Sequence, residues 1–250
     1  MELKKLRENW NTFGQKDPLW AILTEPTKKG NKWELDEFFQ TGKKEISDLI
    51  KYLNEREISF SRSKALDFGC GVGRLTQALS DEFEEVHGVD IAESMISQAK
   101  KYNKHKDRCH YHVNVKEDLM LFDGNNFSFV YTNIVLQHMK PVYAKKYIKE
   151  FLRILSQEGV LVFQLPSEPI NKSFFRSTLK KVLPSFIFNA YVKWKDGLDA
   201  IIEMYCIEKN EVLEFLKENN AEVLDVTEDI STGDDWLSFR YVVQLKTNKD

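Results

Sequence analysis

A run of alternating glycines between an apolar segment and an amphipathic segment is the feature that most constrains the fold. Residues 65–79 read ALDFGCGVGRLTQAL, in which Gly69, Gly71 and Gly73 follow the apolar stretch and its acid, Asp67. Glycines at this spacing allow a sharp strand-to-helix turn and a close approach of the backbone to a ligand, because they have no Cβ atom. The segment therefore predicts a strand, a ligand-binding loop and a helix in succession.

Apolar segments of strand type alternate with segments of helical spacing through most of the chain. This alternation predicts βαβ units and a parallel sheet in an α/β fold. A helical stripe over 34–53, interrupted near Gly42, predicts one helix or two before the first strand. Two strands, 222–226 and 239–245, follow one another without a helix and predict an antiparallel hairpin. The strand-type segments before them are Ala65–Phe68, Val86–Val89, Tyr111–Val115, Phe127–Thr132 and Val160–Phe163.

The composition excludes several classes of protein. The 250 residues carry 36 Lys and Arg against 39 Asp and Glu, and 42% of them are hydrophobic, so the chain has enough apolar surface to fold. A pI near 6 gives no overall attraction to nucleic acid. The chain has no run of eighteen apolar residues and no apolar leader. We therefore expect a cytoplasmic protein with no nucleic-acid or membrane partner.

The cysteines and histidines do not have the spacing of a metal site or a disulfide framework. Cys70, Cys109 and Cys206 are too few and too scattered, and we expect them to be reduced thiols. His110 and His112 alternate on one predicted strand, but no third ligand shares their spacing. No metal is therefore predicted.

Two acids indicate the ligand that the glycine loop is expected to bind. Asp67 stands just before the turn, where its carboxylate accepts hydrogen bonds that a diphosphate does not offer. Asp90 ends the next predicted strand, about 20 residues further on, where a carboxylate binds the hydroxyl groups of a nucleoside ribose. The pattern therefore predicts a nucleoside ligand with a cationic or N–H-bearing group near Asp67.

The segments DFGCGVG at 67–73 and VHGVDIAESM at 86–95 resemble the first two motifs of the class I S-adenosylmethionine-dependent methyltransferases. The likeness extends over 64–165. It implies a Rossmann-like, seven-stranded and mostly parallel sheet in the order 3-2-1-4-5-7-6, with helices before it. It also implies S-adenosylmethionine as the cofactor and transfer of a methyl group as the activity.

The resemblance assigns a part of the cofactor to each candidate residue. It implies that Gly69, Gly71 and Gly73 line the methionine part, that Asp67 orients the amino-acid end directly or through water, and that Asp90 takes the ribose hydroxyls.

The adenine contacts and the motif after the fourth strand are assigned in the same way. Ile91 and Met95 are expected to flank the adenine, and Asn133 belongs to the motif after the fourth strand, which is similar to one that contacts the cofactor. Relatives have a Gly-Asp-Ala-like contact after the third strand, but this chain reads VKED at 115–118. Asp118 is the candidate adenine contact in that segment.

The chain is predicted to divide into four units, and the second and the fourth of them form the sheet. The units are an N-terminal helical lid over 1–60, a cofactor-binding core over 61–165, a helical cap over 166–204, and a helix and strands that complete the sheet over 205–250. The lid resembles that of relatives with a leading segment like DPLW at 17–20, which makes Trp20 and Phe39 candidate acceptor-binding residues. Packing of these aromatic side chains on the sheet is the alternative. The cap is aromatic and basic, which favours an anionic small molecule, and its Arg176 suits a carboxylate or phosphate.

The predicted function is methyl transfer to a small-molecule acceptor by in-line displacement. His138, beyond the carboxyl end of a parallel strand, is the candidate base for a hydroxyl acceptor, with a structural histidine as the alternative. An NAD(P)-dependent oxidoreductase stays open, because Asp90 and the glycines also suit a dinucleotide, although Arg74 stands where that fingerprint has a glycine. A methyltransferase-like domain that binds without turnover is the other alternative.

Overall fold

Seven strands form one mixed sheet in the computed structural model, which describes residues 2–170 and 202–246. The strands are β1 (Lys64–Phe68), β2 (Glu85–Asp90), β3 (Cys109–Val113), β4 (Phe127–Thr132), β5 (Leu155–Pro169), β6 (Ala221–Glu228) and β7 (Trp236–Leu245). Their order is β3-β2-β1-β4-β5-β7-β6, which confirms the order that the resemblance implied. Strands β1 to β5 are parallel, and β7 is antiparallel to both β5 and β6, which confirms the predicted hairpin.

Helices cover both faces of the sheet. Within the described residues they are α1 (Leu3–Lys16), α2 (Pro18–Ile22), α3 (Leu35–Glu55), α4 (Arg74–Leu79), α5 (Glu93–Tyr102), α6 (Pro141–Ile154) and α7 (Lys209–Glu218). Short 3-10 turns stand at Pro26–Lys28 and Leu136–His138. Both α2 and α6 begin at a proline, whose fixed φ suits the first helical position.

Side chains of the central strands alternate between two hydrophobic layers. In β1, Leu66 belongs to the layer that contains α6 and α7, whereas Ala65 belongs to the layer that contains α3 and α4. In β5, Leu161 and Val162 divide in the same way. Both faces of these strands are buried, which explains why their sequences are continuous apolar runs.

Helix α3 is continuous through Gly42, where the sequence left open an interruption. A Cβ atom on Gly42 would lie 2.5 Å from the carbonyl oxygen of Arg74. The glycine therefore allows α3 to lie directly against the start of α4, next to the glycine loop.

The predicted boundary between core and cap falls inside a strand. β5 continues beyond residue 165 and pairs with β7 as far as Pro169, so the cap cannot begin at 166. Beyond Phe163 the strand pairs on one side only, and an unpaired side tolerates proline, which has no N–H to donate. Most of the predicted cap, including Arg176, lies outside the described residues.

Candidate functional site

One cleft opens at the carboxyl ends of β1, β2 and β4, and α1 and α2 form part of its wall. The space between its walls amounts to about 970 Å³, including space open to solvent. Open α/β sheets bind ligands at this edge. Most of the wall is apolar. The charged, amide and imidazole side chains that line it are Arg74, Asp90, Asn114, Asn133 and His138.

Asp90 ends β2 and joins the glycine loop to the start of α5. Its Oδ2 accepts a hydrogen bond from the Gly71 N–H at 2.9 Å, and its Oδ1 accepts one from the Ala92 N–H at 2.8 Å. Burial raises the pKa of the Asp90 carboxyl, and these backbone N–H groups act in the opposite direction. Each carboxylate oxygen can accept a second hydrogen bond, so Asp90 has acceptor capacity left for hydroxyl groups in the cleft.

The three glycines of the loop have different neighbours. Gly69, Gly71 and Gly73 have φ values of 78°, 53° and 84°. A Cβ atom on Gly71 would lie 2.5 Å from Cδ1 of Ile22, so α2 lies against the loop at this point. A Cβ atom on Gly73 would overlap the hydroxyl group of Tyr111. Gly69 and Gly71 line the cleft. Gly73 was expected to line it too, but it packs against other residues of the protein instead.

Ile91 and Met95 line the cleft beside Asp90, where the adenine contacts were expected. Asp118 does not line it, and its Oδ1 accepts a hydrogen bond from the Met120 N–H at 3.2 Å. The structure therefore separates Asp118 from the other candidate adenine contacts.

Asn114 occupies the cleft at the end of β3 and was not predicted from the sequence. Its Nδ2 donates to the carbonyl oxygen of Asp118 at 2.7 Å, which orders the chain after the strand. The prediction placed the end of this strand at Val115, whereas β3 ends at Val113. A correct strand end is the signal that would have identified Asn114, because ligand-binding residues follow the carboxyl ends of parallel strands.

His138 lies in the turn after β4, lines the cleft and is 7% exposed. Its Nδ1 lies 3.0 Å from the carbonyl oxygen of Glu203. A carbonyl oxygen only accepts hydrogen bonds, so Nδ1 carries the proton and Nε2 of the neutral ring keeps a lone pair. Burial lowers the pKa of His138, which favours this neutral form, while the Glu203 carbonyl acts in the opposite direction. The ring of Trp10 stands edge-on to the imidazole, with centroids 5.4 Å apart.

Glu45 of α3 accepts hydrogen bonds from three side chains of the core. Its Oε1 accepts from the Tyr131 hydroxyl and from Asn133 Nδ2, both at 2.9 Å, and its Oε2 accepts from Arg74 Nη2 at 2.8 Å. Asn133 lines the cleft, as expected, and so does Arg74, which was not predicted as a site residue. The position of Arg74 directly after the third glycine was the sequence signal that could have identified it as a site residue.

Asp67 is 1% exposed and does not line the cleft. Its Oδ2 accepts a hydrogen bond from the Thr76 hydroxyl at 2.6 Å. Burial raises the pKa of Asp67 to about 7, although the Thr76 hydrogen bond and the charge of Arg74 act in the opposite direction. Asp67 is therefore not placed for a direct contact with the amino-acid end of the ligand, and the expected contact through water stays a prediction.

The two aromatic residues predicted to bind the acceptor lie outside the cleft. Trp20 Nε1 donates to the carbonyl oxygen of Glu25 at 3.0 Å, and Phe39 packs edge-on against Phe38 and Tyr102. The N-terminal helices instead contribute the apolar residues Leu3, Leu6, Trp10, Ala21 and Ile22 to the cleft.

The histidines of β2 and β3 form a cluster away from the cleft. His87 Nδ1 lies 2.9 Å from His112 Nε2, and the rings of His87 and His110 are 5.2 Å apart. Across residues 2–170 and 202–246, no group of three or more His, Cys, Asp or Glu residues is arranged to hold a metal ion. The helices in the same part of the chain are all too short or too polar to cross a bilayer.

The middle of the chain resembles known methyltransferases. Residues 66–163 match a family described as a methyltransferase domain. The malonyl-[acyl-carrier protein] O-methyltransferase of Bacillus anthracis is 29% identical over 152 residues, which cover 58% of this chain and 55% of that protein. The ubiquinone biosynthesis O-methyltransferase of Coxiella burnetii is 25% identical over 181 residues, 71% of each chain.

A solved structure shows the same fold over nearly the whole chain. The magnesium protoporphyrin IX methyltransferase of Synechocystis, with bound S-adenosylhomocysteine, has a TM-score of 0.65 at 15% identity. The match covers 98% of this chain and 99% of that chain.

The cleft has the chemistry that S-adenosylmethionine requires. Asp90 has acceptor capacity for ribose hydroxyls, and Ile91 and Met95 offer an apolar surface for adenine. The glycine loop and Asp90 alone left a dinucleotide open, and the match to a methyltransferase domain favours S-adenosylmethionine instead. Residues 66–163 match the methyltransferase-domain family, and the sheet order and the cleft agree with a class I S-adenosylmethionine-dependent methyltransferase.

Proposed function

We propose that this protein transfers a methyl group from S-adenosylmethionine to an oxygen atom of a small-molecule acceptor. The observation that carries the proposal is that Asp90 and His138 line the same cleft. The carboxylate of Asp90 can accept hydrogen bonds from ribose hydroxyls, and the imidazole of His138 can accept a proton. Two relatives named O-methyltransferases support oxygen as the acceptor atom.

The proposed cofactor site uses the cleft residues at the ends of β1, β2 and β3. Asp90 would accept hydrogen bonds from the ribose hydroxyls, and Ile91 and Met95 would hold the adenine between apolar side chains. Gly69 and Gly71 would contact the methionine part, because they line the cleft on the side of the loop.

The proposed mechanism needs few side chains. The bound cofactor supplies a methyl group that is already activated by the positive charge on its sulfur. The apolar residues that α1 and α2 contribute to the cleft would exclude water and help to position an acceptor beside the bound cofactor. For a hydroxyl acceptor, Nε2 of His138 takes the proton while Nδ1–H stays bound to the Glu203 carbonyl. A carboxylate acceptor has no proton to lose, and His138 then only shapes the cleft.

The proposal has two further parts, an anionic acceptor and a lid. An anionic acceptor is proposed from the basic residues of the cap, Arg176 among them. A lid role for residues 1–60 is proposed because α1 and α2 supply apolar residues to the cleft.

The first prediction concerns the cofactor. Calorimetric titration should show saturable binding of S-adenosylhomocysteine and no binding of NAD. Asp90→Ala should weaken the binding of S-adenosylhomocysteine by about 1–3 kcal/mol, because the ribose hydroxyls lose a buried charged acceptor. Asp118→Ala is the matched control, since Asp118 follows the neighbouring strand but does not line the cleft. This variant should bind S-adenosylhomocysteine with the affinity of the wild type.

Methyl transfer is tested separately from binding. Purified protein with methyl-labelled S-adenosylmethionine is offered fractions of small metabolites, and labelled products are identified by mass spectrometry. An O-methylated product supports the proposal. Tight cofactor binding without a labelled product from any fraction would favour the domain that binds without turnover, and tight NAD binding alone would contradict the cofactor assignment.

A further inference from the structure

Arg74 is a buried cation beside the cleft for which the proposed mechanism has no use. It is 5% exposed, begins α4 directly after Gly73, and is the one Lys or Arg among the described residues that line the cleft. Its Nη2 donates to Glu45 at 2.8 Å, and its Nη1 donates to the Thr41 hydroxyl at 3.4 Å. Its Nε is enclosed and has no hydrogen-bond partner within residues 2–170 and 202–246.

This arrangement leaves the Nε–H group of the guanidinium without an acceptor. An enclosed N–H group without a partner costs free energy, which an oxygen atom of a ligand would recover. Arginine presents five N–H donors in a planar fork, so a second carboxylate can bind while Glu45 keeps its own contact. The ligand expected here is therefore a carboxylate.

Glu45 fixes the orientation of Arg74 from outside the glycine loop. It belongs to α3, and its Oε1 is also held by Tyr131 and Asn133 of the β4 end, so the carboxylate has little freedom. The backbone of α3 lies against Arg74 at Gly42, which restricts the start of α4 from the same side. Glu45→Gln would remove the negative charge that holds the guanidinium in place. The amide oxygen of the glutamine could still accept the hydrogen bonds from Tyr131 and Asn133.

We infer that Arg74 binds the carboxylate of the methionine part of the cofactor, and that Glu45 is the positioning residue that holds Arg74 for it. The inference rests on the proposed use of this cleft by S-adenosylmethionine. It extends the site from the ribose and adenine contacts to the amino-acid end, for which the structure does not offer Asp67.

The test compares two ligands that differ at the amino-acid end. S-adenosylhomocysteine carries the carboxylate, whereas 5′-methylthioadenosine has the same nucleoside and sulfur without it. Calorimetry measures both dissociation constants for the wild type, Arg74→Gln, Glu45→Gln and the control Asp48→Asn. Asp48 is a matched control because it lies on the same helix and forms only an exposed pair with Lys44.

The expected result is a selective loss. Arg74→Gln should weaken S-adenosylhomocysteine binding by about tenfold or more, because a charge-assisted contact is lost. Glu45→Gln should weaken it by a smaller factor, and both variants should bind 5′-methylthioadenosine as the wild type does. Asp48→Asn should change neither constant.

Other outcomes separate the possible failures. Equal weakening of both ligands by Arg74→Gln and Glu45→Gln would mean a merely structural pair, and unchanged affinity for both would remove Arg74 from the site. A wild type that binds neither ligand would contradict the cofactor assignment itself. If Arg74→Gln does not fold, Glu45→Gln decides, since its amide oxygen retains the hydrogen bonds from Tyr131 and Asn133.

Discussion

At the scale of single residues, one backbone carbonyl selects the protonation state of the imidazole in the cleft. The Glu203 carbonyl oxygen accepts from Nδ1 of His138, and burial disfavours the charged ring. Glu203 is 65 residues away in the chain, so the tautomer depends on a contact between distant segments. The same residue in a solvated turn would be an ordinary surface histidine.

His138→Gln tests this residue in the proposed reaction. With a hydroxyl acceptor, kcat should fall by about 10²–10⁴, the usual contribution of a general base, while cofactor affinity stays unchanged. In the wild type, kcat/KM should decrease as pH falls through the pKa of His138, which burial holds below its ordinary value of 6.5. This acid limb should be absent in His138→Gln. His105→Gln, at a histidine outside the cleft, is the control, and an identical pH profile in His138→Gln would show that His138 is not the base.

At the scale of elements, α1 is fastened to the start of α5 beside the cleft. No side chain of α5 itself caps its N-terminus, and Asn11 of α1 performs this role, since its Oδ1 accepts from the Ser94 N–H at 3.0 Å. Ser94 Oγ donates in turn to the Asn11 carbonyl at 3.0 Å, and Arg7 pairs with Glu93. A Cβ atom on Gly14 would overlap Ser94. Helix α1 is therefore a fixed wall of the cleft. Helix α2 contacts the glycine loop through Ile22.

Gly14→Ala tests the docking of α1 on α5. Alanine favours a helix by about 1 kcal/mol over glycine, but overpacking against Ser94 should cost about 1–3 kcal/mol, so the variant should be less stable. Urea unfolding measures the difference. Ser94→Gly in the same chain removes the overlapping atoms and should recover part of the loss, as a double-mutant cycle would show. A Gly14→Ala protein that is more stable than the wild type would mean that α1 does not pack on α5.

At the scale of the whole molecule, the acid at the end of β1 couples stability to pH. Asp67 is enclosed between the sheet and α4, and its pKa is about 7 in the folded chain against an ordinary value of 3.8. Between these values the folded chain keeps a proton that the unfolded chain releases. The unfolded state therefore binds fewer protons, and this group lowers the free energy of unfolding as pH rises through the window.

Asp67→Asn should remove this dependence. Asparagine accepts the Thr76 hydrogen bond through its amide oxygen but does not ionise, so the variant should gain stability relative to the wild type from about pH 4 to about pH 7, by up to about 4 kcal/mol. Urea unfolding at several pH values without cofactor measures the gain. The exposed Asp107 provides the control, since Asp107→Asn should follow the wild type at every pH. A constant difference between Asp67→Asn and the wild type would contradict the prediction.

The sequence by itself determined the sheet and the centre of the cleft. Apolar runs, the glycine turn and the acid at the end of β2 are local patterns that the sequence shows directly. The carboxyl ends of parallel strands lie at one edge of the sheet, however the helices pack on it. Gly69, Gly71, Asp90 and His138 were identified in this way, Ile91, Met95 and Asn133 were identified through the resemblance to methyltransferase motifs, and all of them line the cleft.

Only the tertiary structure decided which other candidates reach the cleft. Asp67, Gly73, Asp118, Trp20 and Phe39 contact other parts of the protein and do not line the cleft, whereas Arg74 and Asn114 line it although neither was predicted. The proton position on His138 and the orientation of Arg74 depend on Glu203 and Glu45, which are distant in the chain. The physical reason is that burial and hydrogen-bond partners arise from contacts between separate elements, and these contacts exist only once the helices have packed on the sheet.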